Sequence, residues 1–217
     1  MLYIVSTPIG NLEDISFRAV RTLKEVDLIT AEDTRHSKRL LDHYEIKTPM
    51  ISYHSYSGNT KIEKIIDELK AGKNVAVISD AGTPGISDPA YRLVRRAIEE
   101  NIQICPIPGA SSLLAAIVVS GKATHEFLYL GFLPMKKGRQ TLLNNLKEEK
   151  RTIIIFESPH RILKSLKQFA EVFGEEREIV IARELTKMHE EILRLPLNMA
   201  VKHFEKINPK GEFVLVL

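Results

Sequence analysis

Val75-Ala76-Val77-Ile78-Ser79-Asp80-Ala81-Gly82-Thr83-Pro84-Gly85-Ile86-Ser87-Asp88-Pro89 sets the reading of the whole chain. Val75 to Ile78 are apolar and mostly β-branched, the pattern of a strand buried on both faces of a parallel sheet. Small and turn-forming residues follow at once, so the chain leaves the sheet through an open loop. In open α/β sheets, small molecules bind beyond the carboxyl ends of the strands, where strand order reverses. Gly82 and Gly85 allow close backbone approach to a ligand, and Asp80 is an acceptor for hydroxyls or a partner for a cation. The plainer reading is a crossover that binds nothing, but such connections usually take only ~2 to 6 residues and this one is longer.

Outward from that stretch, strand and helix patterns alternate. Upstream lie a strand at Leu2 to Ser6, the turn Thr7 to Asn11, an amphipathic helix carrying Ile15, Ala19, Val20, Leu23 and Val26, and a strand at Asp27 to Thr30. The polar tract Ala31 to Arg39 leads into a helix with Leu40, Leu41 and Tyr44. Met50 to Tyr53 reads as a strand and Thr60 to Ala71 as a helix closed by Gly72. Downstream, a helix runs on from Tyr91, and the strand Ile102 to Ile107 ends in Pro108-Gly109-Ala110-Ser111-Ser112. The nearly all-apolar helix Leu113 to Ser120 that follows is expected inside the protein. A Gly-and-Ser turn between strand and helix points helix N-terminal N–H groups at polar ligand atoms.

The fold class is α/β with two α/β domains, 1–121 and 122–217, separated by the polar break Lys122 to His125. In the second, strands are expected at Phe127 to Leu133, Thr152 to Glu157, Glu178 to Arg183, Glu190 to Leu195 and Glu212 to Leu217. Helices are expected at Arg139 to Glu149, Arg161 to Phe173 and Leu197 to Glu205. The last strand pattern, Gly211 to Leu217, carries no polar tail, which suggests that a further segment follows in the whole protein.

Composition fits an ordinary globular protein, 44% hydrophobic and 27% charged over 217 residues. No apolar run approaches membrane-span length and the N-terminus lacks a basic leader pattern, so a cytoplasmic protein with no membrane partner is expected. The lone Cys105 permits no internal disulfide or cysteine metal site and reads as a buried thiol. A net charge of +3 is compatible with a nucleic-acid partner without demanding one. The chain has no phosphate-binding Gly-x-x-x-x-Gly-Lys-Ser/Thr, no Gly-x-Gly-x-x-Gly, no Gly-x-Ser-x-Gly and no His-Glu-x-x-His, which disfavours the commonest nucleotide, hydrolase and zinc chemistries; no metal is expected.

What remains is a set of small-residue loops after strands. Ser6-Thr7-Pro8-Ile9-Gly10-Asn11-Leu12, Ala31-Glu32-Asp33-Thr34-Arg35, Ser79 to Pro84, Pro108 to Ser111, Phe156-Glu157-Ser158-Pro159-His160-Arg161 and Ala182-Arg183-Glu184-Leu185-Thr186-Lys187 occur in this order. Together they resemble the tetrapyrrole methylase superfamily and, within it, the ribosomal RNA small subunit methyltransferase I family of cytidine 2′-O-methyltransferases. The resemblance implies S-adenosyl-L-methionine in a cleft between two α/β domains, a homodimer, and a ribose hydroxyl of 16S rRNA in the small ribosomal subunit as methyl acceptor. It also implies a small C-terminal helical extension, which this sequence lacks.

For the cofactor, the resemblance points to Ile9, Gly10, Asp80, Ala81, Gly82, Thr83, Ser111 and Ser112, with Phe156, Ala182 and Gly211 on the other side. Ser111 is equally well explained as a helix cap. Methyl transfer to an alcohol needs a group to take up the hydroxyl proton, and Glu32, Asp33, Glu157 and Glu184 each stand just past a strand end. A lone carboxylate there is as readily a cap or a surface residue. Arg35, Lys38, Arg39, His160, Arg161, Arg183 and Lys187 supply positive charge for RNA, whereas Lys136-Lys137-Gly138-Arg139 reads first as a solvated helix start. A small-molecule methylase of the same fold and a non-catalytic RNA-binding assembly protein stay open as alternatives. The mixed acids and bases of Glu32 to Arg39 favour RNA over a polycarboxylate macrocycle.

Overall fold

The computed structural model describes residues 1–54 and 58–217. They form two compact units, Met1–Ser111 and Ser112–Leu217.

The first unit is a three-layer α/β sandwich. Its strands are β1 (Leu2–Val5), β2 (Leu28–Ala31), β3 (Met50–Ser52), β4 (Val75–Ile78) and β5 (Ile104–Ile107), all parallel, in the order β3-β2-β4-β1-β5. Four helices connect them: α1 (Phe17–Glu25), α2 (Thr34–His43), α3 (Asn59–Lys70) and α4 (Ala90–Glu99). Side-chain alternation along β4 explains the layering. Val75 and Val77 pack with Ile62, Ile65, Ile66 and Leu93 of α3 and α4, whereas Ala76 and Ile78 pack with Ala19, Leu23 and Leu41 of α1 and α2. All four β4 residues are buried, as their unbroken apolar run requires.

Helix ends follow local chemistry. The Ser16 side chain accepts from the Ala19 N–H and starts α1. At the end of α3, Gly72 at φ 87° lets its own N–H reach the Leu69 carbonyl while that of Lys73 reaches Glu68, a Schellman closure.

Strand β5 is an edge, paired among the described residues with β1 alone. The carbonyls of Gln103 and Ile107 accept from Leu2 and Ser6 of the β1 segment, so Pro106 turns its missing N–H outward, where no ladder bond is lost. The same edge position corrects one expectation: Cys105 is half-exposed, not a buried thiol.

The second unit is built on a mixed sheet. It contains α5 (Ser112–Ser120), β6 (Phe127–Phe132), α6 (Arg139–Asn145), β7 (Thr152–Glu157), α7 (Ile162–Phe173), β8 (Glu178–Arg183), β9 (Glu191–Pro196), α8 (Leu197–Glu205) and β10 (Phe213–Val216). Strand order is β6-β7-β10-β8-β9, with β6 and β7 parallel and the other pairs antiparallel. Ile153, Ile155, Ile179, Ile181, Phe213 and Leu215 meet the buried sides of α6, α7 and α8 around Phe169 and Phe204. Helix α5 lies on β8 and β10, so it belongs to this unit and the division falls upstream of the Lys122–His125 break.

Two further expectations change. Helix α5 buries Leu113, Ala116, Ile117 and Ser120 but leaves Leu114 and Val118, one turn apart, exposed at 52% and 70%, so it is apolar all round yet covered on one side only. Helix α6 stops at Asn145, short of Glu149: Asn144 and Asn145 are weak helix formers, and Glu149 folds back to form a two-point ion pair with Arg151.

Because Phe169 is fully buried at the centre of the second core, Phe169→Ala is expected to cost about 3–5 kcal/mol. Urea unfolding followed by far-UV circular dichroism measures it as a fall in midpoint with little change in slope.

Candidate active site

Three loops of the first unit are stitched together at the carboxyl ends of β1, β4 and β5. The N–H of Thr7 donates to the Gly82 carbonyl at 2.9 Å and that of Gly82 returns a bond to the Thr7 carbonyl at 3.1 Å, an isolated antiparallel bridge within a parallel sheet. The Thr7 hydroxyl donates to the Ser79 carbonyl at 3.2 Å, and the Ser6 and Thr83 hydroxyls lie 3.0 Å apart. Thr83 donates in turn to the Ala110 carbonyl at 3.2 Å. Ser6, Thr7 and Ser79 are buried, so these small hydroxyls satisfy one another and the loop carbonyls.

Gly82 sits at φ 79°, and a Cβ there would approach Ile9 Cγ2 to 3.2 Å and the Ala110 carbonyl to 3.6 Å. Its absent side chain therefore makes room for the protein's own loops, where the sequence suggested room for a ligand. Ile9 is buried against it, whereas Gly10 and Ala81 are exposed and Ser111 and Ser112 are half-buried. Gly85, at φ 92°, has no neighbour that a Cβ would meet.

Around these loops stand three carboxylates with different surroundings. Asp80 Oδ1 accepts the Asp33 N–H at 2.9 Å and ties the end of β2 to that of β4. Asp88 accepts the N–H groups of Gly85 and Ala90 at 2.8 Å and so shapes the loop into α4; burial, opposed by those bonds, raises its carboxyl above the usual range, and Asp80 adds to the rise. Glu32 is half-buried and has no hydrogen-bond or ion-pair partner among the described residues. Burial, then the charges of Asp80 and Asp88, pushes its carboxyl up. Asp88 was missed in the sequence, although an Asp before a proline in a loop is a turn-forming signal.

Asp33 has a separate occupation. It caps α2 through the Arg35 N–H at 2.8 Å and pairs with the Arg35 guanidinium at 2.9 Å. The Arg35 side-chain bond, followed by the backbone bond, holds its carboxyl down to about 2. Arg35 is 90% exposed. Lys38 pairs with Asp42 one turn along α2 at 3.0 Å, and the exposed Arg39 has no acidic partner among the described residues.

In the second unit, Glu157 lies at the buried end of β7 with its side chain inaccessible. Its oxygens accept from Arg161 Nε at 2.9 Å, the Ser158 N–H at 2.8 Å and the Ser165 hydroxyl at 2.5 Å. Arg139, buried too, reaches Ser165 at 2.7 Å, Gln168 at 2.7 Å and the Pro134 carbonyl at 3.2 Å. The tract 136–139 is thus divided: its lysines are solvated and its arginine is internal. Phe156 is ringed by Tyr129 and Phe132, His160 is exposed, and Ala182 is buried between its partners Val214 and Ile192.

Glu184 and Thr186 both adopt positive φ, 50° and 68°. Glu184 accepts from Lys187 at 2.8 Å and from the Glu212 N–H at 3.0 Å, and Lys187 also reaches Glu212 at 3.0 Å. Burial opposes its charge, yet these bonds outweigh burial and its carboxyl lies below the usual range. A Cβ on Gly211 would fall 2.5 Å or less from the Glu184 carboxyl group, so that glycine is required by the Glu184 seat. Arg183 is held by the Lys210 carbonyl at 2.8 Å and by Glu191 at 3.3 Å.

Comparison with known proteins places this geometry in context. A family model described as tetrapyrrole (corrin/porphyrin) methylases matches residues 1–200. The chain is 51% identical to ribosomal RNA small subunit methyltransferase I of Synechocystis sp., over 100% of this chain and 78% of that protein. It is 50% identical to the protein of that name in Thermotoga maritima, over 100% of this chain and 97% of the relative. Among solved structures it is similar in fold to diphthine synthase, with a TM-score of 0.77 at 13% identity over 100% of this chain and 88% of that one. It is similar also to uroporphyrin-III C-methyltransferase from Thermus thermophilus complexed with S-adenosyl homocysteine, with a TM-score of 0.69 at 17% identity over 99% and 96% of the two chains.

The Asp33 cap yields a pH signature. A carboxyl lowered from 3.8 to about 2 on folding stabilises the protein above pH 3.8 and loses that contribution as pH falls to about 2. Asp33→Asn is expected to melt below the wild type at neutral pH, with the gap closing between those limits in thermal melts at stepped pH.

Proposed function

The chain belongs to the tetrapyrrole methylase family and within it to ribosomal RNA small subunit methyltransferase I, and from that premise we propose that it methylates the 2′-hydroxyl of a cytidine in 16S rRNA within the small ribosomal subunit. That it is an S-adenosylmethionine-dependent rRNA methyltransferase rests on one observation, about half identity over its full length to two relatives of that name.

The ends of β1, β2 and β4 suit the cofactor. S-adenosylmethionine supplies an electrophilic methyl group on a cationic sulfonium, alongside an ammonium and two ribose hydroxyls. Asp80 and Asp88 give this region negative potential, and the second Asp80 oxygen is left as an acceptor. The bridged loops Thr7–Gly10 and Asp80–Thr83 offer small residues and backbone groups to a ligand, with Gly82 fixing their shape.

Glu32 is the carboxylate best suited to the acceptor hydroxyl. Asp33 is occupied by Arg35, Glu157 by two arginines and Glu184 by Lys187, whereas Glu32 is unpaired among the described residues and has a raised proton affinity. Such a group would accept the 2′-hydroxyl proton as the oxygen takes the methyl group and the carbon–sulfur bond of the sulfonium breaks, releasing neutral S-adenosylhomocysteine. Arg35, Arg39, His160 and Arg161 supply positive charge for the phosphates, Arg35 with its second face free of Asp33. Charge is unevenly divided: the second unit has seventeen Lys and Arg against thirteen Asp and Glu, the first fourteen against fifteen. The second unit is accordingly the better surface for RNA phosphates.

We further read the protein as a cytoplasmic homodimer, with the exposed Leu114 and Val118 face of α5 at the subunit contact. Light scattering is expected to give twice the chain mass, and Val118→Asp to halve it; a monomeric wild type at micromolar concentration would remove this part.

Incubation with tritiated S-adenosylmethionine and small subunits lacking the methyl group, followed by nucleoside mass spectrometry, is expected to yield 2′-O-methylcytidine. Glu32→Gln should lower kcat about 10²–10⁴-fold with unchanged cofactor affinity by calorimetry. In the wild type, kcat should rise with pH through a group titrating above the ordinary glutamate range, a limb that Glu32→Gln abolishes. A base-methylated product would overturn the ribose assignment, and full activity in Glu32→Gln the role of that residue.

A further inference from the structure

We propose that Phe132 and Arg161 form a nucleotide clamp in the second unit, in which a base of single-stranded RNA stacks on the Phe132 ring while Arg161 holds its phosphate. The inference rests on the RNA reading above and adds the residues that grip the strand.

A defect in the sheet creates the platform. Tyr129 pairs with Ile154 and Phe132 with Phe156, so β6 spends three residues where β7 spends two. The extra residue forms a β-bulge at Leu130–Gly131, with Gly131 at φ 61°. Strict alternation would send Phe132 to the face opposite Tyr129. The bulge returns it to the same face, where Phe156 lies edge-on to both rings at centroid distances of 5.2 and 5.7 Å. Phe132 is nonetheless 54% exposed, with the Arg161 guanidinium over its ring.

A cation is fixed beside that ring. The Arg161 guanidinium lies 5.9 Å from the Phe132 centroid, its Nε on Glu157 at 2.9 Å and its Nη1 on the Leu133 carbonyl at 3.2 Å. Arg139 shares the Glu157 carboxylate at 4.0 Å. Two cations on one buried carboxylate leave one positive charge unbalanced, and Arg161 is the more exposed of the two. Its Nη2 has no protein acceptor among the described residues. Lys136, Lys137 and His160 are solvent-exposed in the adjoining loops. A half-exposed aromatic ring with a preorganised guanidinium at one face suits a base stacked on the ring with its phosphate at the cation. Glu157 is then a positioning residue for Arg161, held by Ser165 and the Ser158 N–H.

The test uses the full chain with a fluorescein-labelled single-stranded RNA containing cytidine, read by anisotropy, and unmethylated small subunits, read by methyl transfer. Phe132→Ala is expected to weaken RNA binding and raise KM about 5- to 100-fold, the worth of one stacked base. Phe132→Trp should restore both to within about threefold, since any aromatic face serves. Arg161→Lys should weaken binding, and the double variant should lose less than the product of the single losses because both groups act on one nucleotide. Cofactor affinity and mass by light scattering should stay at wild-type values. Unchanged RNA affinity and KM in Phe132→Ala, with an active wild type, would overturn the clamp and leave the methyltransferase standing. Loss of cofactor affinity would instead make Phe132 a cofactor wall, and a halved mass would make it a subunit contact; either overturns the clamp. A wild type that neither binds RNA nor methylates small subunits would bring down the functional reading and the clamp with it.

Discussion

The paired Thr7 and Gly82 bonds are the constraint on which the first unit's site depends. Parallel strands leave their carboxyl ends as separate loops, each with backbone donors and acceptors that need partners. Here two loops from neighbouring strands satisfy each other through an antiparallel bridge, and the Ser6, Thr83 and Ala110 chain adds the loop after β5. Each such bond contributes only about 1 kcal/mol net. Their common effect is geometric, since none of the three loops can move alone. Asp80 extends the lock to β2 by accepting the Asp33 N–H. The polar end of the sheet is cross-braced by small hydroxyls and one carboxylate.

That bracing sorts the acids by environment. Asp33, at the start of a helix with Arg35 beside it, has its carboxyl held down to about 2. Glu32, one residue earlier, is half-buried beside Asp80 and Asp88, and so binds a proton more readily. Adjacent residues at a strand end point to different sides, which is why one faces solvent and a cation while its neighbour faces other carboxylates. Perturbed carboxyls close to a ligand-sized loop are a recognised mark of function, and structural ion pairs perturb them too. Partnership separates the two cases, because Asp33, Glu157 and Glu184 each have a cation at hydrogen-bond distance and Glu32 has none among the described residues.

Much of the architecture was legible in the sequence for plain physical reasons. The Val75 to Ile78 run can be a strand only where both sheet faces are covered, and β4 is central and buried throughout. Loop positions followed from Gly, Pro and small polar residues, which punctuate a chain locally. Tertiary matters were less accessible. An all-apolar α5 says nothing about how many sides are covered, and three of its valines and leucines are exposed. Gly82 and Gly211 signal positive φ, but what fills the space of the missing Cβ, Ile9 in one case and Glu184 in the other, lies far away in the chain. The β6 bulge left no sequence mark beyond Gly131, and alternation alone would have put Phe132 on the wrong face.

Glu157 shows how far a motif can be read and where reading stops. A carboxylate followed by Ser-Pro-His-Arg at a strand end suggests an exposed acid, yet its side chain is wholly buried. A buried carboxylate costs several kcal/mol in lost hydration and persists only with excellent partners. It has them in Arg161, Ser165, the Ser158 N–H and the more distant Arg139, so replacing it by an apolar residue would strand two cations around an empty seat. Stability alone does not explain the arrangement, since well-packed apolar residues can match a buried ion pair. What it adds is direction. Arg161 has flexible carbons between backbone and charge, and anchoring Nε and Nη1 leaves one edge of the guanidinium fixed beside Phe132. The entropy of ordering that side chain is thereby met in folding and need not be met again when an anion arrives, which is the advantage of a preorganised contact.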